Sequence, residues 1–312
     1  MPQYSQHEYL QRVRVSSSQY QFTLPICVQH REYWYHLGSC FLIAPNLAVT
    51  AKHLLEFAYL QVLGKKLDLY NPDLQDSKYG YRFDISSDSS LDVFQISEEG
   101  GKVRRLSVEG HYSSGFKDQD LMLLRLIPHP LCRFKSEPFK PDVPILSLIP
   151  PTVGKSVRSF GWPDHPDHLH SELPADFLSD YFIYTSEGVV EAVNWEVGSS
   201  RHASLQTSMR TKSGMSGGPV FTEREEGPLV WGVISHATAD YSQIAPIWTM
   251  LGATLHPVNG MPKRHGGTLI IDLIRAGAIS ARGVDHFDVI DVPGEDEMEV
   301  VCDPAALVRT GA

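Results

Sequence analysis

Seven prolines fall between Ile127 and Pro151, at positions 128, 130, 138, 141, 144, 150 and 151. Proline has no backbone N–H to donate and its ring fixes φ, so this density excludes a helix and a central strand. We therefore predict that residues 128–151 form a linker. The chain before this segment and the chain after it are then expected to fold as two separate units.

Short apolar runs punctuated by Gly, Pro, Asn and Ser flank the linker on both sides, and this pattern predicts β-strands. Before the linker the runs are Phe22–Val28, Tyr33–Tyr35, Cys40–Ile43, Leu47–Thr50, Phe94–Ile96, Val103–Val108 and Leu121–Ile127. After it they are Ser156–Phe160, Tyr181–Thr185, Gly188–Val193, His202–Ser208, Gly218–Phe221 and Leu229–Ser235. Residues 247–251 suggest a further strand, residues 268–276 a short helix, and the polar residues 68–92 a long loop. Two runs of short strands joined by a proline-rich crossover favour two β-barrels side by side.

Composition narrows the function classes. The chain has 27 Lys and Arg against 37 Asp and Glu, a net charge of −10, so it repels phosphate backbones and nucleic acid is not an expected partner. Apolar stretches such as Leu269–Ile274 are too short to span a membrane. The N-terminus lacks a basic start and an apolar run, which predicts a cytoplasmic protein, and a trimmed secretory signal would leave the same picture.

The four cysteines, Cys27, Cys40, Cys132 and Cys302, are scattered without metal-ligand spacing. We expect them to be reduced, buried small residues rather than a disulfide framework. No metal site is predicted from them.

Three segments carry residues with catalytic chemistry. A histidine ends the strand-like Thr50-Ala51-Lys52-His53, an acid, Asp120, directly precedes the strand 121–127, and Ser216 lies in the glycine-rich Gly214-Met-Ser-Gly-Gly-Pro219. A serine alcohol needs a neighbouring base, which a histidine supplies near neutral pH. A carboxylate holds the imidazole in the required tautomer, and glycines let backbone N–H groups converge on an oxyanion.

These segments resemble the chymotrypsin-like (trypsin-like) serine peptidases. Thr50–His53 resembles the family's Thr/Ser-Ala-Ala-His, with Lys52 in place of the second Ala. Asp120 to Leu126 resembles its Asp-Ile-x-Leu-Leu-x-Leu, and Gly214–Pro219 resembles its Gly-x-Ser-Gly-Gly-Pro. The likeness spans roughly residues 22–255 in order. It implies an all-β fold, a double antiparallel six-stranded β-barrel, with a C-terminal extension.

The resemblance also implies roles. His53 would be the general base, Asp120 the residue that orients it, and Ser216 the nucleophile. The N–H groups of Gly214 and Ser216 would form the oxyanion hole.

For substrate binding, the resemblance implies that Ser235, His236 and Ala237 run beside the bound peptide. Arg210 and Thr211 would lie near the pocket for the side chain that precedes the cut. Arg210 could favour an acidic side chain there or could point to solvent.

Two departures from the secreted digestive members favour the bacterial-type or intracellular branch. Met215 precedes the nucleophile where those enzymes carry an Asp that pairs with a newly freed N-terminus. No cysteine follows His53, so the disulfide around that histidine cannot form.

Four blander or rival interpretations remain at this stage. Asp118 is a local rival of Asp120. The string Gly214–Gly218 also fits the G-x-S-x-G elbow of α/β-hydrolases, an esterase-like alternative with Asp240 or Asp272 and His256 or His265 as partners. The Asp164-His165-Pro-Asp167-His168-Leu-His170 run is expected to be a solvated loop, although it could bind a metal. A protease-like binding module that is latent or inactive without a partner is the alternative to an active enzyme.

The sequence therefore predicts an N-terminal segment (1–21), a first barrel (22–127), the linker (128–151), a second barrel (152–256) and a C-terminal extension with an acidic tail (257–312). The expected activity is that of a serine endopeptidase acting on a restricted protein or peptide substrate. No metal and no organic cofactor is expected, and a regulatory protein partner is possible for the tail.

Overall fold

The structure, a computed structural model, describes residues 11–13, 21–64, 75–77, 80–82, 89–96, 103–113, 119–130, 143–163, 169–170, 183–194, 203–255, 260–261, 267–291 and 298–302. Twenty-two strands lie in these residues. Those up to residue 128 are β1 (Gln11–Val13), β2 (Thr23–His30), β3 (Tyr33–Ala44), β4 (Leu47–Thr50), β5 (Gln75–Ser77), β6 (Gly80–Arg82), β7 (Ser89–Ile96), β8 (Val103–Ser113) and β9 (Met122–Pro128).

The remaining strands follow the proline-rich segment or begin within it. They are β10 (Ile145–Ser147), β11 (Ser156–Gly161), β12 (Leu169–His170), β13 (Ile183–Asn194), β14 (Ser204–Thr207), β15 (Pro219–Thr222), β16 (Leu229–Ala237), β17 (Ser242–Pro246), β18 (Thr254–Leu255), β19 (Thr268–Leu269), β20 (Ala281–Arg282), β21 (Phe287–Asp291) and β22 (Met298–Cys302). Two short α-helices, α1 (Lys52–Phe57) and α2 (Ile270–Arg275), interrupt the strands. Single turns of other helix types cover Ala58–Val62, Ile247–Met250 and Val284–His286.

The first barrel closes through six antiparallel pairings. Strands β2, β3, β4, β9, β8 and β7 follow one another around it, and β7 pairs again with β2. The two-residue turn Pro45-Asn46 joins β3 to β4, as expected for a tight hairpin. Every side chain of β4 is buried, since one face packs on the barrel core and the other meets the rest of the molecule.

The second barrel closes in the same way. Strands β11, β13, β14, β17, β16 and β15 follow one another, and β15 pairs again with β11. The expected chymotrypsin-like double barrel is thus confirmed. Closure pairs each of these strands on both sides over part of its length, and this limits the exposed strand edges that promote aggregation.

Apolar side chains form two clusters. A cluster of Val157, Met209, Met215, Trp231, Ile244 and neighbouring residues fills the second barrel. A larger cluster fills the first barrel and continues past Trp162 into the residues after the second barrel, where Phe287 is only 2% exposed. The first barrel and the C-terminal extension therefore share one core.

Three sequence expectations are corrected by the structure. The linker was expected to hold no strand, but Ile145–Ser147 forms β10, which pairs in parallel with β16 and β20. This strand lies between Pro144 and Pro150, so its own residues keep their N–H groups. Residues 247–251 form a 3₁₀ turn instead of a strand. Within the polar residues 68–92, short strands β5 and β6 pair with each other, and β6 pairs with β8.

The described part of the acidic tail contains paired strands. Strands β21 and β22 form an antiparallel hairpin, from the Phe287–Cys302 pair to the Asp291–Met298 pair. Phe287, Val289, Val300 and Cys302 pack against the large cluster on one face. Asp288, Asp291 and Glu299 thus lie on paired strands.

Three absences follow for the part of the chain that the structure describes. None of its helices is long and apolar enough to cross a membrane. No group of three His, Cys, Asp or Glu side chains could hold a metal ion. Cys27, Cys40 and Cys302 form no disulfide, and burial raises the pKa of the Cys27 and Cys40 thiols, which keeps them protonated. Cys132 lies outside the described residues.

Candidate active site

His53 lies where the first barrel changes from strand to helix. Strand β4 ends at Thr50, Ala51 keeps an extended backbone, and α1 begins at Lys52. The imidazole is 40% exposed, whereas Leu54 and Leu55 beside it are buried in the barrel core. Burial of these leucines fixes the helix, and the helix directs the histidine outward.

Asp120, just before β9, contacts His53 through both carboxylate oxygens. Its Oδ2 lies 2.7 Å from the His53 Nδ1, and its Oδ1 accepts the backbone N–H of His53 at 2.8 Å. Burial raises the pKa of the Asp120 carboxyl, but hydrogen bonds and charge from His53, with a hydrogen bond from Ser235, outweigh burial and lower this pKa below its ordinary value. An ionised carboxylate only accepts, so the imidazole proton lies on Nδ1 and the Nε2 lone pair is available.

Ser216 lies in a loop whose backbone is fixed by glycine conformations. Met215 N–H donates to the Lys212 carbonyl at 3.1 Å, and Gly214 between them has φ +84°, as in a type II turn. Gly217 has φ +81°, another value that favours glycine. The loop then enters β15 at Pro219.

Met215 anchors this loop from below. Its side chain is fully buried in the second-barrel cluster, which contributes about 1.5–3 kcal/mol. The apolar residue before Ser216, which departs from the digestive enzymes, therefore packs in a core and needs no ion pair.

The first barrel contacts the loop closely. Ser39 N–H, on β3, donates to the Ser216 carbonyl at 2.8 Å. A Cβ at Gly217 would overlap the Ser39 carbonyl and the Thr50 hydroxyl, so only glycine fits there. The loop that carries Ser216 thus packs closely against Thr50 and Ala51, which precede His53 by three and two residues.

Two backbone N–H groups around Ser216 remain available. Among residues 214–218, all of which the structure describes, Met215, Gly217 and Gly218 donate their N–H groups to backbone carbonyls. Those of Gly214 and Ser216 have no protein acceptor within the described chain. These are the two donors that the sequence assigns to an oxyanion hole.

The candidate substrate-binding residues occupy the rim of the second barrel. Arg210 is exposed and its carbonyl accepts the Ser186 hydroxyl at 2.8 Å, while the Thr211 hydroxyl lies 3.1 Å from that of Ser242. His236 and Ala237 end β16 and pair with β17.

Ser235, which the family resemblance assigns to substrate binding, also makes a contact that the sequence did not predict. Its hydroxyl donates to the Asp120 Oδ2 at 2.6 Å and so joins the second barrel to the first. Asp120 and Ser235 are 115 residues apart, and no local pattern around either indicates the contact.

The rival interpretations separate. The α/β-hydrolase alternative is wrong, because strand β15 follows Ser216 where that elbow requires a helix. Of its proposed partners, Asp240 is exposed in a turn, Asp272 is buried in α2, and His256 and His265 lie outside the described residues. Asp118 and the run from Asp164 to His168 also lie outside them, and His170 is described only as part of β12.

Comparison with known proteins places the chain in a family. Residues 38–230, more than half of the chain, match the trypsin-like peptidase domain. No curated protein matches the chain. Among solved structures, the active form of the Rv3671c protease from M. tuberculosis is similar at 13% identity and TM-score 0.45, over 81% of this chain and 92% of that one. Its inactive form is similar at 15% identity and TM-score 0.43, over 77% and 90%. The chain belongs to the trypsin-like peptidase family.

Proposed function

We propose that this peptidase is a serine endopeptidase that works through an acyl-enzyme, with Ser216 as nucleophile, His53 as general base and Asp120 as the group that orients His53. The observation that carries the proposal is the double contact of Asp120 with His53, at the Nδ1 and at the backbone N–H. It holds the imidazole in the tautomer whose Nε2 can accept a proton.

The proposed reaction assigns one role to each of these groups. His53 takes the Ser216 proton as the hydroxyl oxygen attacks the peptide carbonyl, and the N–H groups of Gly214 and Ser216 stabilise the resulting oxyanion. His53 gives the proton to the leaving amine, and the acyl-enzyme forms. A water molecule, deprotonated by His53, releases the acid and restores Ser216. None of these steps needs a metal or an organic cofactor.

The rim of the second barrel supports binding of an extended peptide. Strand β15 pairs with β16 only as far as Val233, so Ser235–Ala237 has β17 on one side and no strand of the described chain on the other. A peptide can add there as one more strand. Arg210 and Thr211, at the rim, are the residues that we assign to recognition of the side chain before the cut.

A fluorophosphonate probe tests the proposal. This reagent phosphonylates an activated serine, so the wild-type protein is expected to be labelled and Ser216→Ala is not. Mass spectrometry of the labelled peptide locates the modification. Labelling of both proteins would place the nucleophile elsewhere and overturn the assignment.

No labelling of either protein would favour a latent or non-catalytic binding module.

We further propose that the substrate is a restricted set of proteins. The labelled, active enzyme is then expected to leave unfolded casein largely intact, and rapid general digestion of casein would refute the restriction while leaving the endopeptidase assignment standing.

A further inference from the structure

Ser39 stands between the two barrels with every polar group engaged. It is fully buried on β3 of the first barrel. Its N–H donates to the Ser216 carbonyl, and its carbonyl accepts the Thr50 hydroxyl at 2.7 Å. The Ser39 hydroxyl makes two further contacts, one with the Trp162 N–H and one with the Gly214 carbonyl.

The direction of the Ser39 hydroxyl proton is determined by its neighbours. The backbone N–H of Trp162, at the end of the second-barrel strand β11, donates to the Ser39 Oγ at 2.8 Å. A hydroxyl has one proton, and a lone pair is already used by Trp162. The proton is therefore free for the Gly214 carbonyl, which the Oγ approaches at 3.1 Å.

The Gly214–Met215 peptide lies between the two proposed oxyanion donors. The Gly214 N–H belongs to the peptide before it, and the Ser216 N–H belongs to the peptide after it. The N–H of the Gly214–Met215 peptide, which is that of Met215, donates to the Lys212 carbonyl. Its carbonyl end is held by the Ser39 hydroxyl. With both ends held, the relative direction of the two flanking N–H groups is restricted.

We propose that Ser39 is a positioning residue for the oxyanion hole. Its hydroxyl holds the Gly214 carbonyl and, by accepting the Trp162 N–H, connects the nucleophile loop to the residue that follows β11 of the second barrel. The inference rests on the proposed function for its catalytic meaning. The claim that Ser39 holds the nucleophile loop concerns only the structure of the loop and can be tested separately.

Removal of the hydroxyl has two local consequences. In Ser39→Ala the Gly214 carbonyl and the Trp162 N–H, both buried, lose their partners, and unmade buried hydrogen bonds are costly. The Gly214–Met215 peptide is then held only at its N–H, by the Lys212 carbonyl, and can turn more easily. The His53–Asp120 hydrogen bond involves neither atom, so the base is expected to remain oriented.

The test compares Ser39→Ala with Ser147→Ala. Ser147 is a matched control, because its hydroxyl is buried and also donates to a backbone carbonyl, that of Ile149 at 2.8 Å. Its strand, β10, pairs with β16 and β20, and the Ser147 hydroxyl makes no hydrogen bond to residues 211–218. Three readouts are taken. They are the rate constant of inactivation by a fluorophosphonate, whose phosphoryl oxygen must enter the hole, amide hydrogen exchange of the peptide that covers residues 209–219, and the downfield proton resonance of the His53–Asp120 hydrogen bond.

Ser39→Ala is expected to slow inactivation about tenfold or more, less than the roughly 100-fold loss typical when an oxyanion donor itself is removed. Exchange in 209–219 is expected to accelerate. The downfield proton resonance of the His53–Asp120 hydrogen bond should persist, which a general collapse of the site would abolish. Ser147→Ala is expected to match the wild type in all three measurements.

Inactivation within twofold of the wild type, with unchanged exchange in 209–219, would overturn the proposal. So would an equal loss in Ser147→Ala. If Ser39→Ala does not fold, Ser39→Cys, with a similar volume and a weak thiol donor, replaces it under the same criteria. If the wild type itself does not react with the probe, the proposed function fails, and hydrogen exchange alone then decides whether Ser39 holds the loop.

Discussion

Ser235 and His53 approach the same oxygen of one carboxylate from opposite barrels. The Ser235 hydroxyl lies 2.6 Å from the Asp120 Oδ2, and the His53 Nδ1 lies 2.7 Å from it. Asp120 and His53 belong to the first barrel and Ser235 to the second. The orientation of His53 therefore depends on how the two barrels pack against each other, because Ser235 of the second barrel holds the carboxylate that orients His53.

Ser235→Ala is expected to lower kcat about tenfold, since a hydrogen bond to a charged group contributes about 1.5–3 kcal/mol. Steady-state kinetics on a peptide substrate measures this loss. Thr222→Ala is the control, because Thr222 also donates a hydroxyl proton, but to the backbone carbonyl of Ser156 at the far end of β15. Equal kcat values for Ser235→Ala and the wild type would remove Ser235 from the site.

Asp120→Asn is expected to have a larger effect. Its amide N–H₂ cannot accept the Nδ1 proton, so the imidazole turns to the tautomer that lacks a free Nε2 lone pair, and kcat falls roughly 10³- to 10⁴-fold. Asp118→Asn, two residues earlier, is expected to keep kcat within about twofold, because Asp120 makes both contacts with His53. A large loss in the Asp118 variant and a small one in the Asp120 variant would reverse the assignment.

The double barrel was predictable because its strands carry local signals. Apolar runs and turn residues mark eleven of the twelve barrel strands or parts of them, and the Pro45-Asn46 turn places β3 beside β4. Less predictable was β17, Ser242–Pro246, whose polar Ser242 and Gln243 and terminal Pro246 hide a strand. Tertiary pairing with β14 and β16 overrides the local signal there.

The catalytic candidates were predictable because three short motifs carry them, whereas their support was not. Trp162 lies 123 residues from Ser39, and Asp120 lies 115 from Ser235. Such contacts arise only when the barrels dock. The hairpin β21–β22 shows the same limit, because its acidic residues hide the alternation that directs Phe287 and Val289 toward the core.

Gly217→Ala tests how tightly the nucleophile loop is pressed on the first barrel. A Cβ there would overlap the Ser39 carbonyl and the Thr50 hydroxyl in addition to straining φ +81°. We expect the free energy of unfolding to fall by roughly 3 kcal/mol or more, with loss of fluorophosphonate labelling.

Gly154→Ala separates these two causes. Gly154 has nearly the same φ, +85°, but a Cβ there meets no atom within 4 Å. Its substitution is expected to cost only the backbone strain, about 1–2 kcal/mol, and to keep labelling intact. Urea unfolding measures both variants. Equal losses would mean that the loop gives way easily and that no close packing holds Ser216.

The lowered pKa of Asp120 makes a prediction about acid stability. A carboxyl whose pKa is lower in the folded than in the unfolded chain stabilises the fold above its unfolded pKa, and this contribution disappears as the pH falls through the folded pKa. The unfolded value is near 3.8 and the folded value lies below it. The stability advantage of the wild type over Asp120→Asn should therefore be constant from about pH 6 to about pH 5 and shrink steadily below about pH 4.

Urea unfolding at a series of pH values measures the difference between the two proteins, and their shared remaining carboxyls largely cancel. An advantage that grows on acidification would mean that burial dominates, that the carboxyl pKa is raised, and that His53 and Ser235 do not hold Asp120 in its charged form.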